Sequence, residues 1–142
     1  MSHLILTPTR GDRTQLMEHC RKQVKSFTTS YGIHCIVDYA PEKKEKKDLK
    51  ERIWYGYKEA VKLGVDWVVI VEDDDQYPTD YLHKVLLTAD RSDFIGCEFS
   101  YYYNLKNRTW DKLEHRGRSS LYTTTFRVSA MKNFAWHRAD DV

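Results

Sequence analysis

Glu72-Asp73-Asp74-Asp75 follow directly on the apolar run Trp67-Val68-Val69-Ile70-Val71. Carboxylates this close repel one another unless a cation joins them. Magnesium or manganese is the economical choice, because hard divalent ions prefer carboxylate and phosphate oxygens. One or two protein carboxylates, completed by substrate and water, make an ordinary site for such an ion. It would clamp a diphosphate and stabilise the charge that develops as the diphosphate leaves. Along an extended chain residues i and i+2 face the same way, so Glu72 and Asp74 are expected on one side and Asp73 and Asp75 on the other. The plainer reading is a solvated acidic turn ahead of a helix, whose N-terminus favours negative charge. The glycine and ligand spacing of an EF-hand loop are missing.

The elements that would position the run are legible in the hydrophobic pattern. A short continuous apolar stretch reads as a strand buried on both faces, and the carboxyl ends of such strands are where open α/β sheets bind ligands. Leu4-Ile5-Leu6-Thr7 reads as a first strand, followed by the turn Thr7 to Gly11. Asp12 with Gln15 resembles a capping box, and Leu16, Cys20, Val24, Phe27 and Tyr31 then lie on one helical face that Gly32 would close. Ile33 to Asp38 alternates as a second strand. The stretch Pro41 to Arg52 holds six cations and four anions, which reads as a solvated loop and helix entrance with local ion pairs, or as a nucleic-acid contact. Leu49, Ile53, Tyr57 and Ala60 form a second helical face ended by Gly64. Pro78 and Thr79 open a third helix carrying Tyr81, Leu82, Val85, Leu86 and Ala89. Phe94 to Cys97 is a fourth strand, a Tyr-rich stretch leads to Trp110, Leu121 to Val128 is a further strand, and Ser129 fits the cap of a short last helix.

Strands alternating with helices predict an α/β class: one α/β/α sandwich, Rossmann-like, around a mostly parallel central sheet. The first turn has neither GxGxxG nor GxxxxGK[ST], which counts against a dinucleotide-binding dehydrogenase and a P-loop NTPase. With 142 residues the chain is expected to be a single domain spanning residues 1–142. The net charge of +2 does not by itself announce a nucleic-acid binder. No apolar run approaches the roughly 20 residues of a membrane helix, and no leader is visible, so a cytoplasmic protein is expected. Cys20, Cys35 and Cys97 show neither metal-ligand spacing nor a disulfide framework and read as buried free thiols.

Val69 to Leu82, with its strand, acidic run and Pro78-Thr79-Asp80-Tyr81-Leu82 helix start, resembles the DxD segment of GT-A type glycosyltransferases. Leu6 to Arg13 is similar to their first strand and nucleotide loop. The resemblance is closest to small glycosyltransferase-like proteins of bacteriophages and extends in outline over Tyr101 to Asn104, Trp110 and His115 to Thr124. It implies a GT-A fold and a metal-dependent transfer of a sugar from a nucleotide sugar, a UDP-sugar first of all, to a hydroxyl. It further implies that Pro8, Thr9 and Arg10 line the nucleotide pocket, and that Asp38 accepts hydrogen bonds from uracil or ribose. Glu72 and Asp73 would support ribose and metal, Asp74 would be the principal ligand of Mn2+ or Mg2+, and Asp75 would ligate the metal or stand behind it. Arg52, or in second place Lys50, would reach the diphosphate. Each has a plainer alternative: Arg10 and Asp12 a capped turn, Asp38 a strand-end residue, Arg52 a surface ion pair.

An inverting transfer also needs a carboxylate base to deprotonate the acceptor. Asp140 and Asp141 match the topological point where related enzymes carry that acid, or else belong to a frayed terminus. His115, Ser119, Ser120, Thr123 and Thr124 form a polar cluster suited to sugar hydroxyls. Tyr101 to Tyr103 and Trp110 could stack on a sugar or a base, or simply pack in the core. The acceptor implied is a saccharide or a hydroxymethylated base in phage DNA. GT-A enzymes usually run well past this length, so the chain reads either as a minimal enzyme or as a domain truncated at its C-terminus. A non-catalytic nucleotide-sugar-binding module and a nucleotidyltransferase stand as alternatives.

Overall fold

Trp67-Val68-Val69-Ile70 forms a strand whose side chains are all buried. The computed structural model describes residues 2–27, 32–38 and 48–134. In chain order these form β1 (His3–Pro8), α1 (Thr14–Ser26), β2 (Ile33–Val37), α2 (Asp48–Leu63), β3 (Trp67–Ile70), α3 (Tyr81–Thr88), β4 (Phe94–Ile95), β5 (Phe99–Asn104), β6 (Thr109–Glu114) and β7 (Thr125–Arg127). Short 3-10 turns lie at Ala89–Arg91, Leu121–Thr123 and Val128–Met131.

One sheet has the order β2-β1-β3-β7-β4, and β5-β6 make a second, two-stranded sheet. β1 runs parallel to both β2 and β3. β7 is antiparallel to β3 and to β4, as β5 is to β6. This overturns the expected single, mostly parallel GT-A-type, Rossmann-like α/β/α sandwich: three of the five strand pairings are antiparallel, and one sheet stands apart. The reason lies after α3. The two-residue β4 does not add beside β3; the chain makes the β5-β6 hairpin and returns, and β7 enters in the opposite direction between β3 and β4.

The period of two explains the unbroken apolar strands. Leu4, Leu6, Val68 and Ile70 pack with Tyr57 and Ala60 of α2 and with Phe126. Ile5, Val69 and Val71 point the other way, toward Cys20 and Val24 of α1 and Leu82 and Val85 of α3. The central strands are thus buried on both faces, at about 1.5–3 kcal/mol per large side chain. Helix and strand approach closely at Gly56, where a Cβ would come within 2.3 Å of a Leu6 methyl. Gly64 ends α2 at φ +67°, a conformation in which a side chain would be strained.

Other expectations need correction. α1 starts one residue later than a cap at Asp12 requires: Arg13 is its N-cap, and no side chain caps it. The helix ends at Ser26, so Gly32 is not its terminator. A Cβ there would strike the His3 ring at 2.3 Å. Leu16 is exposed, and Met17 and Gln23 are buried in its stead. α3 starts at Tyr81, after a turn in which the Tyr81 N–H donates to the Pro78 carbonyl at 3.0 Å. The Tyr-rich stretch is the hairpin, and Leu121 to Val128 divides into a 3-10 turn and β7. Cys97 is exposed and Cys35 half-buried, so only Cys20 is a buried thiol. Among the described residues no helix is long and apolar enough to cross a membrane.

Candidate functional site

β3 ends between two neighbours. The Val71 N–H donates to the Leu6 carbonyl at 2.9 Å, and the Ile70 N–H to the Thr124 carbonyl at 3.1 Å. The acidic run therefore emerges at the carboxyl ends of β1 and β3, beside the loop that follows β1. It is not extended: Asp73 and Asp74 sit in a turn, so the expected alternation of the four carboxylates fails. Asp73 and Asp74 instead share one cation. Arg13 donates through one terminal nitrogen to Asp73 Oδ1 at 2.8 Å and through the other to Asp74 Oδ2 at 3.0 Å. Thr9 Oγ1 donates to the other Asp73 oxygen at 2.8 Å. Asp73 is buried and serves as the knot between the β1 loop and the run.

The rest of the turn is held from behind. Gln23 on α1 donates from Nε2 to the Asp75 carbonyl at 3.1 Å and accepts the Tyr77 N–H at 2.8 Å. The Tyr77 hydroxyl accepts the Glu72 N–H at 3.0 Å and donates to the Tyr122 carbonyl at 2.6 Å. Burial raises the Tyr77 phenol far above its ordinary range, so it stays a neutral donor at any working pH.

Glu72 and Asp75 are left without a counter-ion: among the described residues no ion pair reaches either. Burial, then the charges of Asp75, Asp74 and Asp73, push the Glu72 carboxyl up to about 7, with Arg13 opposing. Burial and the charges of Asp74 and Asp73 push Asp75 up to about 6. Two half-buried carboxylates that resist ionising mark a place of strong negative potential.

No three His, Cys, Asp or Glu side chains among the described residues converge as a ready-made metal set. The donors present suit a particular kind of cation. Glu72 and Asp75 offer hard oxygens with no cation of their own among the described residues, while Asp74 is already bonded to Arg13. Magnesium and manganese bind through one or two such carboxylates and take their other oxygens from phosphate and water. The residues fit that kind of clamp and do not fit a closed protein cage.

A cleft of about 360 Å³ is lined by Thr9, Gly11, Met17, Ile36 and Asp38 with the charged Glu18 and Arg21, and Thr9 links it to Asp73 of the run. Its floor is the junction of β1 and β2, where the Thr9 N–H donates to the Val37 carbonyl at 3.0 Å. Gly11 has φ +78°, and a Cβ there would come within 3.1 Å of the Asp38 carbonyl, so this position requires glycine.

The structure thus bonds Thr9 to Asp73 and places Thr9 and Asp38 on one cleft that none of the four acids lines, with Pro8 ending β1. Arg10 is exposed. Arg52 is buried in α2, and the guanidinium that bonds to the run among the described residues is that of Arg13. On the far side, Ser119 Oγ and Thr123 Oγ1 lie 2.9 Å apart, and His115 shares a hydrogen bond with buried Ser100. These groups neighbour Tyr122, whose phenol is raised by burial with Ser100 and Asp75 both close to it. Trp110 stands away on the hairpin, exposed and packed on Tyr103. Asp140 and Asp141 lie outside the described residues. Sequence reasoning missed Arg13, Gln23 and Tyr77. Arg13 carried a usable signal, a cation one turn past the β1 loop; Gln23 carried none, since it reads as one polar residue on a helix. Comparison with known protein families and with curated protein sequences returned no match.

Proposed function

We propose that this protein is a metal-dependent glycosyltransferase that takes its sugar from a nucleoside diphosphate sugar, a UDP-sugar first of all. The observation that carries the reading is the pair Glu72 and Asp75, half-buried, in no ion pair among the described residues and reluctant to ionise, in the same run as Asp73, which is bonded by Thr9 of a cleft of nucleoside size. Arg13 supplies one positive charge, shared by Asp73 and Asp74, and Glu72 and Asp75 are in no ion pair among the described residues.

In this reading the nucleoside enters the cleft. Met17 and Ile36 supply apolar walls, and Asp38 and Thr9 supply polar edges for base and ribose. One or two of the carboxylates of Glu72, Asp74 and Asp75 would hold Mn2+ or Mg2+, which when bound would neutralise the leaving diphosphate as a Lewis acid. Arg13 and Asp73 fix the distance between the β1 loop and the acids, so donor and carboxylates meet in one geometry. The hydroxyls of Ser119 and Thr123 and the imidazole of His115 face the same end of the sheet from the other side, where a hydroxyl acceptor would approach.

Calorimetric titration of UDP with and without manganese tests the reading. Binding is expected only with the metal, and Glu72→Gln with Asp75→Asn is expected to remove it while the fold persists. Equal binding of UDP without metal, or preference for a nucleoside triphosphate, would overturn it. Metal-dependent release of UDP from UDP-glucose then separates a transferase from a module that only binds.

A further inference from the structure

The register of the β5-β6 hairpin assigns each side chain a face. Phe99, Tyr101 and Tyr103 stand opposite Glu114, Lys112 and Trp110, and alternation puts these six on one side. The aromatic members are open to solvent, Tyr101 at 63% and Trp110 at 68%. They form a row. The Tyr103 and Trp110 ring centroids are 4.7 Å apart, and Lys112 Nζ lies 3.8 Å from the Phe99 centroid and 5.9 Å from that of Tyr101. Every residue of β6 is exposed. A contiguous exposed aromatic patch contributes nothing to the core and marks a recognition surface.

Charge decides what it recognises. Residues 99–118 carry five Lys and Arg against two Asp and Glu, in a chain whose net charge is +2, so the rest of the protein is slightly acidic. Lys106 and Arg108 are at the tip, Lys112 is midway, and Arg116 and Arg118 are at the base. Among the described residues none of the five is in an ion pair. A neutral saccharide would use the rings and leave these cations idle. A duplex would use the cations, but its bases are already stacked inside. A single strand offers both a π-face on each base and a phosphate between bases.

We infer that the β5-β6 arm binds single-stranded nucleic acid. Bases stack on the row formed by Phe99, Tyr101, Tyr103 and Trp110, and phosphates pass the cations at the tip and base. The site is separate from the acidic run and does not depend on the transferase reading.

Fluorescence anisotropy of the full chain with a labelled oligothymidylate of about twelve nucleotides, with neither metal nor UDP present, tests the inference. Binding is expected at low salt and should weaken steadily as salt rises. Tyr101→Ala and Trp110→Ala are each expected to weaken it about 5- to 100-fold. Both side chains are exposed, so the thermal melt should not move. Arg116→Ser with Arg118→Ser should flatten the salt dependence. Absence of binding at low salt would overturn the inference, as would affinity unchanged in Trp110→Ala. Capture of a neutral oligosaccharide that the oligonucleotide does not displace would assign the face to sugar. Self-association lost in Trp110→Ala, with no oligonucleotide bound, would assign it to a second copy of the chain.

Discussion

Arg13 bonds two acids whose exposures differ sharply. The Asp73 side chain is 1% exposed and that of Asp74 49%, with Arg13 itself at 34%. Removing one member of a buried pair costs about 3–5 kcal/mol because the other charge is left unsolvated. Arg13 is a third exposed, and Thr9 still donates to Asp73, so solvent screening brings the expectation for Arg13→Met to about 2–3 kcal/mol. For a domain of this size that is a fall in melting temperature of roughly 6–12 °C. A double-mutant cycle separates the partners. Arg13→Met with Asp73→Asn should show a coupling of about 2 kcal/mol, and Arg13→Met with Asp74→Asn at most about 1 kcal/mol, the usual worth of an exposed pair. Urea unfolding followed by circular dichroism supplies the free energies, with the slope checked for constancy. A coupling to Asp74 as large as that to Asp73, or an unmoved midpoint in Arg13→Met, would refute the assignment of Asp73 as the structural knot.

Glu72 at about 7 and Asp75 at about 6 hold protons that the unfolded chain has already released. They therefore take stability away as pH rises from about 4, fully so above about 7. Glu72→Gln should melt with the wild type at pH 4 and above it at pH 7.5, by an amount of order 3 kcal/mol; a gain equal at both pH values would count against this origin. Because a cation relieves the same repulsion, manganese should raise the melting temperature more at pH 7.5 than at pH 5, and a pH-independent rise would place the ion elsewhere. Tyr77→Phe removes the hydroxyl that bridges Glu72 and Tyr122; a loss of about 1–3 kcal/mol is expected in urea unfolding, together with weaker manganese-dependent UDP binding. Gly56→Ala drives a methyl group against Leu6, and destabilisation of about 1–2 kcal/mol should remain after the helix-propensity gain is subtracted.

The parts of this protein legible in its sequence are those set by local pattern. The apolar run before Glu72 had to be a strand buried on both faces, and the structure seats it between β1 and β7. The helical faces around Cys20 and Val24 and around Tyr57 and Ala60 followed from their spacing. Element ends were less legible. Asp12 and Gln15 have the composition of a capping box, yet Arg13 holds the cap position, and its side chain is drawn across to the acids. The electrostatic bond outweighs a cap worth about 1 kcal/mol.

The sequence by itself determined that four carboxylates would stand at the end of a buried strand and that a cation would have to join some of them, because like charges in a shielded place are untenable. Only the tertiary structure decided which cation and which acids. Arg13, sixty residues from Asp73 along the chain, bonds both Asp73 and Asp74, while Glu72 and Asp75, in the turn held by Gln23 and Tyr77, are in no ion pair among the described residues. The sheet shows the same division. Strand content was local and readable, but the insertion of β7 against its neighbours depends on where a long excursion of chain returns. That is settled by packing between distant segments, on which a local pattern is silent.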